Sequence, residues 1–209
     1  MKTAHKITLL TVAAIAGLAA CAGIDPETAR ISRSAEDAVA SSWHNVPADW
    51  KSRLVQDDAQ KICSEVKDRP SKEQTAKIQA MNQAMPVVYP AGGKLVGDWR
   101  KGEAVAQSGF GMRVGDATDK PNGGNCYACH QLTQQELSFG TVGPSLMGYA
   151  KVRGQSEAIV KYTYDRVYNA QTFSACSNMP RFGHNKILTP DQIADVVGLL
   201  MDPNSPVNK

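Results

Sequence analysis

Cys126-Tyr127-Ala128-Cys129-His130, with Gly123-Gly124-Asn125 before it and Gln131-Leu132 after it, is the stretch on which the reading of this chain turns. Two thiols three residues apart can add to the two vinyl groups on one edge of a porphyrin, and the histidine that follows is then directed at the iron; C-x-x-C-H is the attachment sequence for c-type haem. In a chain of 209 residues with five cysteines and four histidines, such a pentapeptide arises by chance in about one sequence in 450. Two other chemistries use a C-x-x-C pair. A thioredoxin-like redox pair sits beside a strand–helix unit, and no strand pattern precedes Cys126. A four-ligand zinc site needs partners at zinc spacing, and only Cys176 and His184 lie downstream. The residues therefore predict one covalently bound haem c, attached through Cys126 and Cys129, with His130 as an axial ligand of the iron.

A second axial ligand separates electron carriers from oxygen chemistry. Met112, Met147, Met179, Met201, His184 and the residues ahead of the motif are the candidates. Met179 stands in Ser177-Asn178-Met179-Pro180-Arg181-Phe182-Gly183, where Pro180 donates no backbone hydrogen bond and restricts Met179 to extended conformations. Such a residue sits on an irregular loop and is free to present its thioether. Met201 lies in a helical pattern, where a methionine is more often core filling. Met179 is therefore the expected second ligand, in the His/Met pairing of electron carriers. The alternatives are a Met179 that packs on the haem face without ligating it, and His184 as ligand.

Working outward, the flanks read as helices. Asp98 caps a helix from Trp99, with Trp99, Gly102 and Val105 or Ala106 on one face. Ser156 caps a second, in which Val160, Tyr164, Val167 and Tyr168 share a face. Thr189 caps the last, with Pro190 at its first position, Gln192 completing a capping box, an apolar face of Ile193, Val196, Val197 and Leu200, and a stop at Asp202-Pro203. The fold class is all-α. The order of helix, haem motif, loop, helix, methionine loop and helix resembles that of class I cytochromes c. The resemblance implies that the first and last helices of this domain cross near a small residue, which Gly102 supplies. It also implies that Pro144, in Gly143-Pro144-Ser145-Leu146, accepts a hydrogen bond from His130 through its carbonyl and so fixes the imidazole tautomer. Gly198-Leu199-Leu200 stands where that family usually has an aromatic residue, and a looser helix crossing is expected there.

Three segments narrow the resemblance. Gly123 to Leu132, Gly140-Thr141-Val142-Gly143-Pro144-Ser145-Leu146 and Cys176 to Gly183 together resemble SoxX, the monohaem subunit of the sulfur-oxidising SoxAX cytochromes. The likeness runs from about Val96 to the C-terminus. It implies a periplasmic heterodimer with a SoxA-like cytochrome subunit, which couples thiosulfate oxidatively to a cysteine of a SoxYZ-like carrier. This chain would then be the electron-transfer, non-catalytic subunit of an L-cysteine S-thiosulfotransferase, passing electrons to a small cytochrome c. The alternative function is a free-standing periplasmic electron carrier without an enzyme partner.

The N-terminus reads as an export signal. Basic Met1 to Lys6 precedes an apolar run, Ile7 to Ala20, that is shorter than the roughly 20 residues needed to span a bilayer. The run ends Leu18-Ala19-Ala20-Cys21, which resembles the lipobox of bacterial lipoproteins, where the cysteine is acylated; ordinary cleavage near Ala22 is the alternative. The expected organisation is a signal peptide over 1–20, a helical N-terminal extension over 21–95 and a cytochrome c domain over 96–209. The net charge of +3 falls to about +1 without Lys2 and Lys6 and calls for no nucleic acid.

Within the extension, Val55, Ala59, Ile62 and Val66 are at helical spacing between Pro47 and Pro70. A second helix is capped by Ser71 and Gln74 and carries Ile78, Met81 and Met85 before Pro86. These apolar faces are expected to pack on the haem domain, a partner interface or an anchor spacer being the other roles. Cys63 and Cys176 are the thiols left after haem and lipid, and a bridge between them is plausible in an oxidising compartment. Finally, Lys151, Arg153, Lys161, Arg166, Arg181 and Lys186 read either as a basic collar for a docking partner or as ordinary solvated surface.

Overall fold

In the computed structural model, residues 26–209 are described apart from positions 112, 114, 117 and 118. The expected export signal, the lipidation site Cys21 and the candidate ligand Met112 lie outside the described residues. Helices, short 3-10 turns and irregular loops make up everything described, and no strand occurs among those residues. The fold class is all-α. Among the same residues no helix is long and apolar enough to cross a membrane.

The chain divides at residue 54 into two units. The first contains α1 (Pro26–Ser42) and the single turn α2 (Ala48–Lys51), which runs on into a 3-10 turn over Ser52–Leu54. There the Arg53 guanidinium lies 4.1 Å from the centre of the Trp50 ring.

The second unit, Val55–Lys209, contains α3 (Asp58–Glu65), α4 (Lys72–Gln83), α5 (Trp99–Gln107), α6 (Tyr149–Arg153), α7 (Glu157–Tyr168) and α8 (Pro190–Met201). Its core is the crossing of α5 and α8. Gly102 is buried in α5, and a Cβ built on it would stand 2.0 Å from the Asp195 carbonyl oxygen and 3.1 Å from Leu199 Cβ. Gly198 on α8 faces the Gly97 carbonyl, 2.6 Å from where its own Cβ would stand. The crossing is therefore tight, not loose as expected from the missing aromatic: glycine on each helix lets backbone approach backbone. The Gly97 amide donates to Ala194 O at 2.8 Å, and the Asp98 amide to Asp195 Oδ1 at 2.8 Å.

Around this crossing α8 buries Ile193, Val196, Val197, Leu199, Leu200 and Met201. Each contributes about 1.5–3 kcal/mol of transfer free energy. Thr189 and Gln192 form the expected capping box. At the other end Asn208 folds back, donating to Leu200 O and accepting from the Ala150 amide, each at 3.0 Å, so that the last turn of α8 is closed by the C-terminal segment. α7 starts at its Ser156 cap and presents buried Thr163, Tyr164, Val167 and Tyr168 to the core.

The two helices α3 and α4, which the sequence assigns to the extension, lie inside this second unit. They enclose a small core of their own: Ala59, Cys63, Ile78 and Cys176, with Ile62, Met81 and Ala175 around it. The helical spacing read from Pro47 to Val66 is interrupted. Asp57 and Gln60 form a capping box of their own that starts α3 afresh, and Val55 is left 70% exposed. Left-handed Lys67 and Asp68 then end α3, before Ser71 caps α4 with Gln74.

Candidate functional site

The Cys126–His130 motif is seated by the backbone on either side of it. Ahead of it, the Gly123, Gly124 and Asn125 amides donate to Phe110 O, Val105 O and Ser108 O at 2.9, 2.8 and 2.9 Å, which fixes the motif to the end of α5. Asn125 takes a left-handed conformation (φ 46°), and Cys126–Ala128 then forms one 3-10 turn. Behind it, the Gly140, Gly143 and Leu146 amides donate to the carbonyls of Tyr127, Cys129 and Gln131 at 2.9, 2.8 and 2.8 Å. The loop 140–146 thus runs alongside the motif, bonded to every second residue.

That pairing places Gly143 flat on the imidazole: a Cβ there would lie 2.2 Å from His130 Cε1 and 2.5 Å from Nδ1. His130 Nδ1 is 2.7 Å from the Pro144 carbonyl oxygen. A carbonyl can only accept, so Nδ1 carries a proton, and in the neutral ring the lone pair is then on Nε2. Such an imidazole is oriented and held in the tautomer that a metal needs.

Cys126 and Cys129 are half-buried and not bridged to each other. Burial pushes the Cys126 thiol up to about 12, with the neighbouring Cys129 adding to the effect. This is the opposite of the lowered value that makes a redox-active C-x-x-C pair a thiolate. Nor do these residues form a zinc cluster. Among the described residues the one group of three ligand atoms within 4.8 Å is Cys63, Asp68 and Cys176. Two of those three are joined as a disulfide, with Cα atoms 5.3 Å apart.

Met179 lies on the irregular loop between α7 and α8, half-buried against the main core, as does Cys126. Its amide donates to Ser177 Oγ at 3.2 Å. The loop's far end reaches the motif, for a Cβ on Gly124 would be 3.3 Å from Cys126 Sγ and 3.5 Å from Leu188 Cδ1. Asn122 joins the two parts, donating to Ile187 O at 2.9 Å and accepting from Gln192 Nε2 at 2.7 Å. Of the other candidates, Met201 is buried in α8 and Met147 is exposed. His184 is half-buried; burial and the Arg181 charge push its imidazole down, and Asp57 offsets this in part.

Arg181 departs from expectation. Read as part of a basic collar, it is instead 4% exposed, paired with Asp57 at the cap of α3, and donates to Asn82 Oδ1 at 3.4 Å. Burial works to raise the Asp57 carboxyl. The Gln60 amide, the Arg181 guanidinium and His184 outweigh it and hold the group below its usual value of 3.8. Lys161 is also engaged, by Asp165 and by Tyr89 Oη at 2.8 Å, and these partners raise its ammonium above the usual range. Lys151, Arg153 and Lys186 remain exposed. Asp57, Asn82 and Asn122 were not singled out in the sequence. The visible signal for Asp57 was its own capping box with Gln60, two residues past exposed Val55.

The arrangement thus supplies two unbridged thiols at porphyrin-edge spacing, an oriented imidazole with a free lone pair, and a thioether on a neighbouring loop. It is an all-α protein with a thiol, imidazole and thioether donor set. No family model matches the chain. It is 40% identical, over 166 residues covering 76% of each chain, to a protein of Aquifex aeolicus (strain VF5) named an uncharacterized lipoprotein. The chain belongs to the same family as that protein.

Proposed function

We propose that this protein is an exported monohaem c-type cytochrome of class I arrangement that moves single electrons. The observation that carries this reading is the Nδ1–Pro144 contact, which leaves His130 Nε2 free beside two unbridged cysteines. The residues fit the group. Cys126 and Cys129 would hold the porphyrin covalently, and His130 and Met179 would be the axial ligands. Gly143 leaves room for the imidazole, and Tyr127, Leu132 and Leu188 are buried in the core against which Cys126 packs. When bound, the haem supplies a centre that takes up and returns one electron. A His/Met ligand pair raises its potential and closes the iron to added ligands, which disfavours peroxidase or gas-sensing roles.

The SoxX-like segments at Gly123–Leu132, Gly140–Leu146 and Cys176–Gly183 support a narrower role. In it the chain accepts electrons from the coupling of thiosulfate to a SoxYZ-like carrier at a SoxA-like partner, and hands them to a small cytochrome c. A second reading is a free-standing carrier with no enzyme partner; a lipid on Cys21, compatible with either reading, is supported by the name of the Aquifex relative. Export to the periplasm is common to both.

Native protein run on native and denaturing gels stained for haem separates these. A large native complex that resolves into this chain and a second haem protein supports the thiosulfate role. A haem band at this chain's size in both gels supports the carrier. Absence of stain after denaturation excludes covalent haem.

A further inference from the structure

Residues 172–181 are held on both sides of Met179 by partners far away in the sequence. On the N-terminal side, Cys176 is bonded to Cys63 of α3. The Phe173 and Thr172 carbonyls accept from Gln79 and Gln83 of α4, at 2.9 and 3.5 Å. On the C-terminal side, the buried Arg181 guanidinium pairs with Asp57 and donates to Asn82, whose Oδ1 also accepts from Asn169 Nδ2 at 3.0 Å. Met179 and both bridged cysteines line one polar cleft of about 280 Å³, so the anchors and Met179 share one part of the surface. Burial of a guanidinium is unfavourable unless it is paired and hydrogen-bonded, and here that demand falls two residues past Met179.

We infer that α3 and α4 form a clamp that holds Met179 on the iron, with Cys63, Asp57 and Asn82 as positioning residues. The inference rests on the reading of His130 and Met179 as axial ligands. A thioether is a weak iron ligand, and its effective affinity is its intrinsic affinity reduced by the fraction of time the loop spends in the competent conformation. Anchors at 176 and 181 restrict the loop and keep that fraction near one. The α3–α4 segment is then part of the ligand machinery, acting from outside the minimal haem domain.

The test uses the full chain, exported and haem-loaded, as wild type, as Cys63→Ser/Cys176→Ser and as Asp57→Asn. Asparagine keeps the Oδ1 acceptor that caps α3 and puts an amide NH2 where Oδ2 accepts from Arg181, so both the charge and that hydrogen bond are lost. Five readouts are needed: the alkaline pyridine spectrum for covalent haem, far-ultraviolet dichroism for helix content, the red charge-transfer band of methionine-ligated ferric haem, carbon monoxide binding to the ferrous protein, and hydrogen exchange of the methionine loop. Both variants should keep the haem and the helices. The red band should disappear in the double-serine variant and weaken in Asp57→Asn, and carbon monoxide affinity should rise about tenfold or more. Hydrogen exchange of residues 174–183 should quicken in step. If the double-serine variant fails to mature, Asp57→Asn carries the test. An unchanged red band and unchanged carbon monoxide binding in variants that do load would overturn the clamp. A wild type with covalent haem but no red band would overturn the Met179 assignment and the clamp with it. A wild type without covalent haem would overturn the cytochrome reading itself.

Discussion

Around His130 the chain holds itself with near neighbours: the Pro144 carbonyl that orients the imidazole is 14 residues away, and the loop behind the motif bonds to it through backbone alone. Around Met179 the partners are distant and the bonds are made by side chains, with Cys63 separated from Cys176 by 113 positions and Asp57 from Arg181 by 124. A support built from adjacent backbone tolerates most side-chain changes and fails only where space is absent. A support built from distant side chains can be taken apart one residue at a time, and it depends on the whole second unit having folded.

That contrast can be broken first at the motif. Cys126→Ser/Cys129→Ser should abolish covalent haem, read as loss of the pyridine haemochrome from acid-acetone-extracted protein, while leaving the Cys63–Cys176 bridge in place. Next in size is the bridge itself. A cross-link over so long a loop stabilises by about 2–5 kcal/mol, chiefly by constraining the unfolded chain, so Cys63→Ser/Cys176→Ser should lower the urea midpoint by the corresponding amount. Gly143→Ala should cost about 1–3 kcal/mol, because the added methyl meets the His130 ring and one of the two must move. The same substitution at Gly92, where a Cβ meets nothing within 4 Å and φ is not left-handed, is the control for loss of a glycine as such.

The smallest expected effect is Asp57→Asn, about 1–2 kcal/mol once the open side of the carboxylate is allowed for. Its pH dependence is informative. The folded-state value of Asp57 is depressed, so the charge contributes stability above about 3.8, and this is lost as the pH falls through the lower folded value. The difference in melting temperature between wild type and variant should therefore be constant from neutral pH to about 4 and narrow below it. A gap that persists unchanged at pH 2.5 would show that the variant's defect is packing and not charge.

The same division explains what could be read from the sequence. Asp98, Ser156, Thr189 with Gln192, and Ser71 with Gln74 were legible as caps because each bonds within its own first turn. Spacing placed Gly102 on a helix face, and its part in the crossing came from the resemblance to class I cytochromes c. Arg181 was misread, since an arginine on an irregular loop looks solvated until its carboxylate partner arrives from the far end of the unit. Val55 was placed on a helical face because its spacing to Ala59 and Ile62 is helical, and only the competing cap at Asp57 decides against it. Helix α6 and the closure of α8 by Asn208 left no local signal: the first is a single turn, and the second is a side chain acting across the end of the chain.

The pairing of Cys63 with Cys176 also bears on biogenesis. A chain delivered N-terminus first presents Cys63, then Cys126 and Cys129, and Cys176 last, so the bond in the structure skips two thiols that emerge in between. Oxidation in order of appearance would join the wrong partners. Maturation to this fold must therefore either delay the oxidation of Cys63 until synthesis is nearly complete or undo a premature bond by thiol exchange. Disulfide mapping of protein produced without an isomerase would reveal which route is taken.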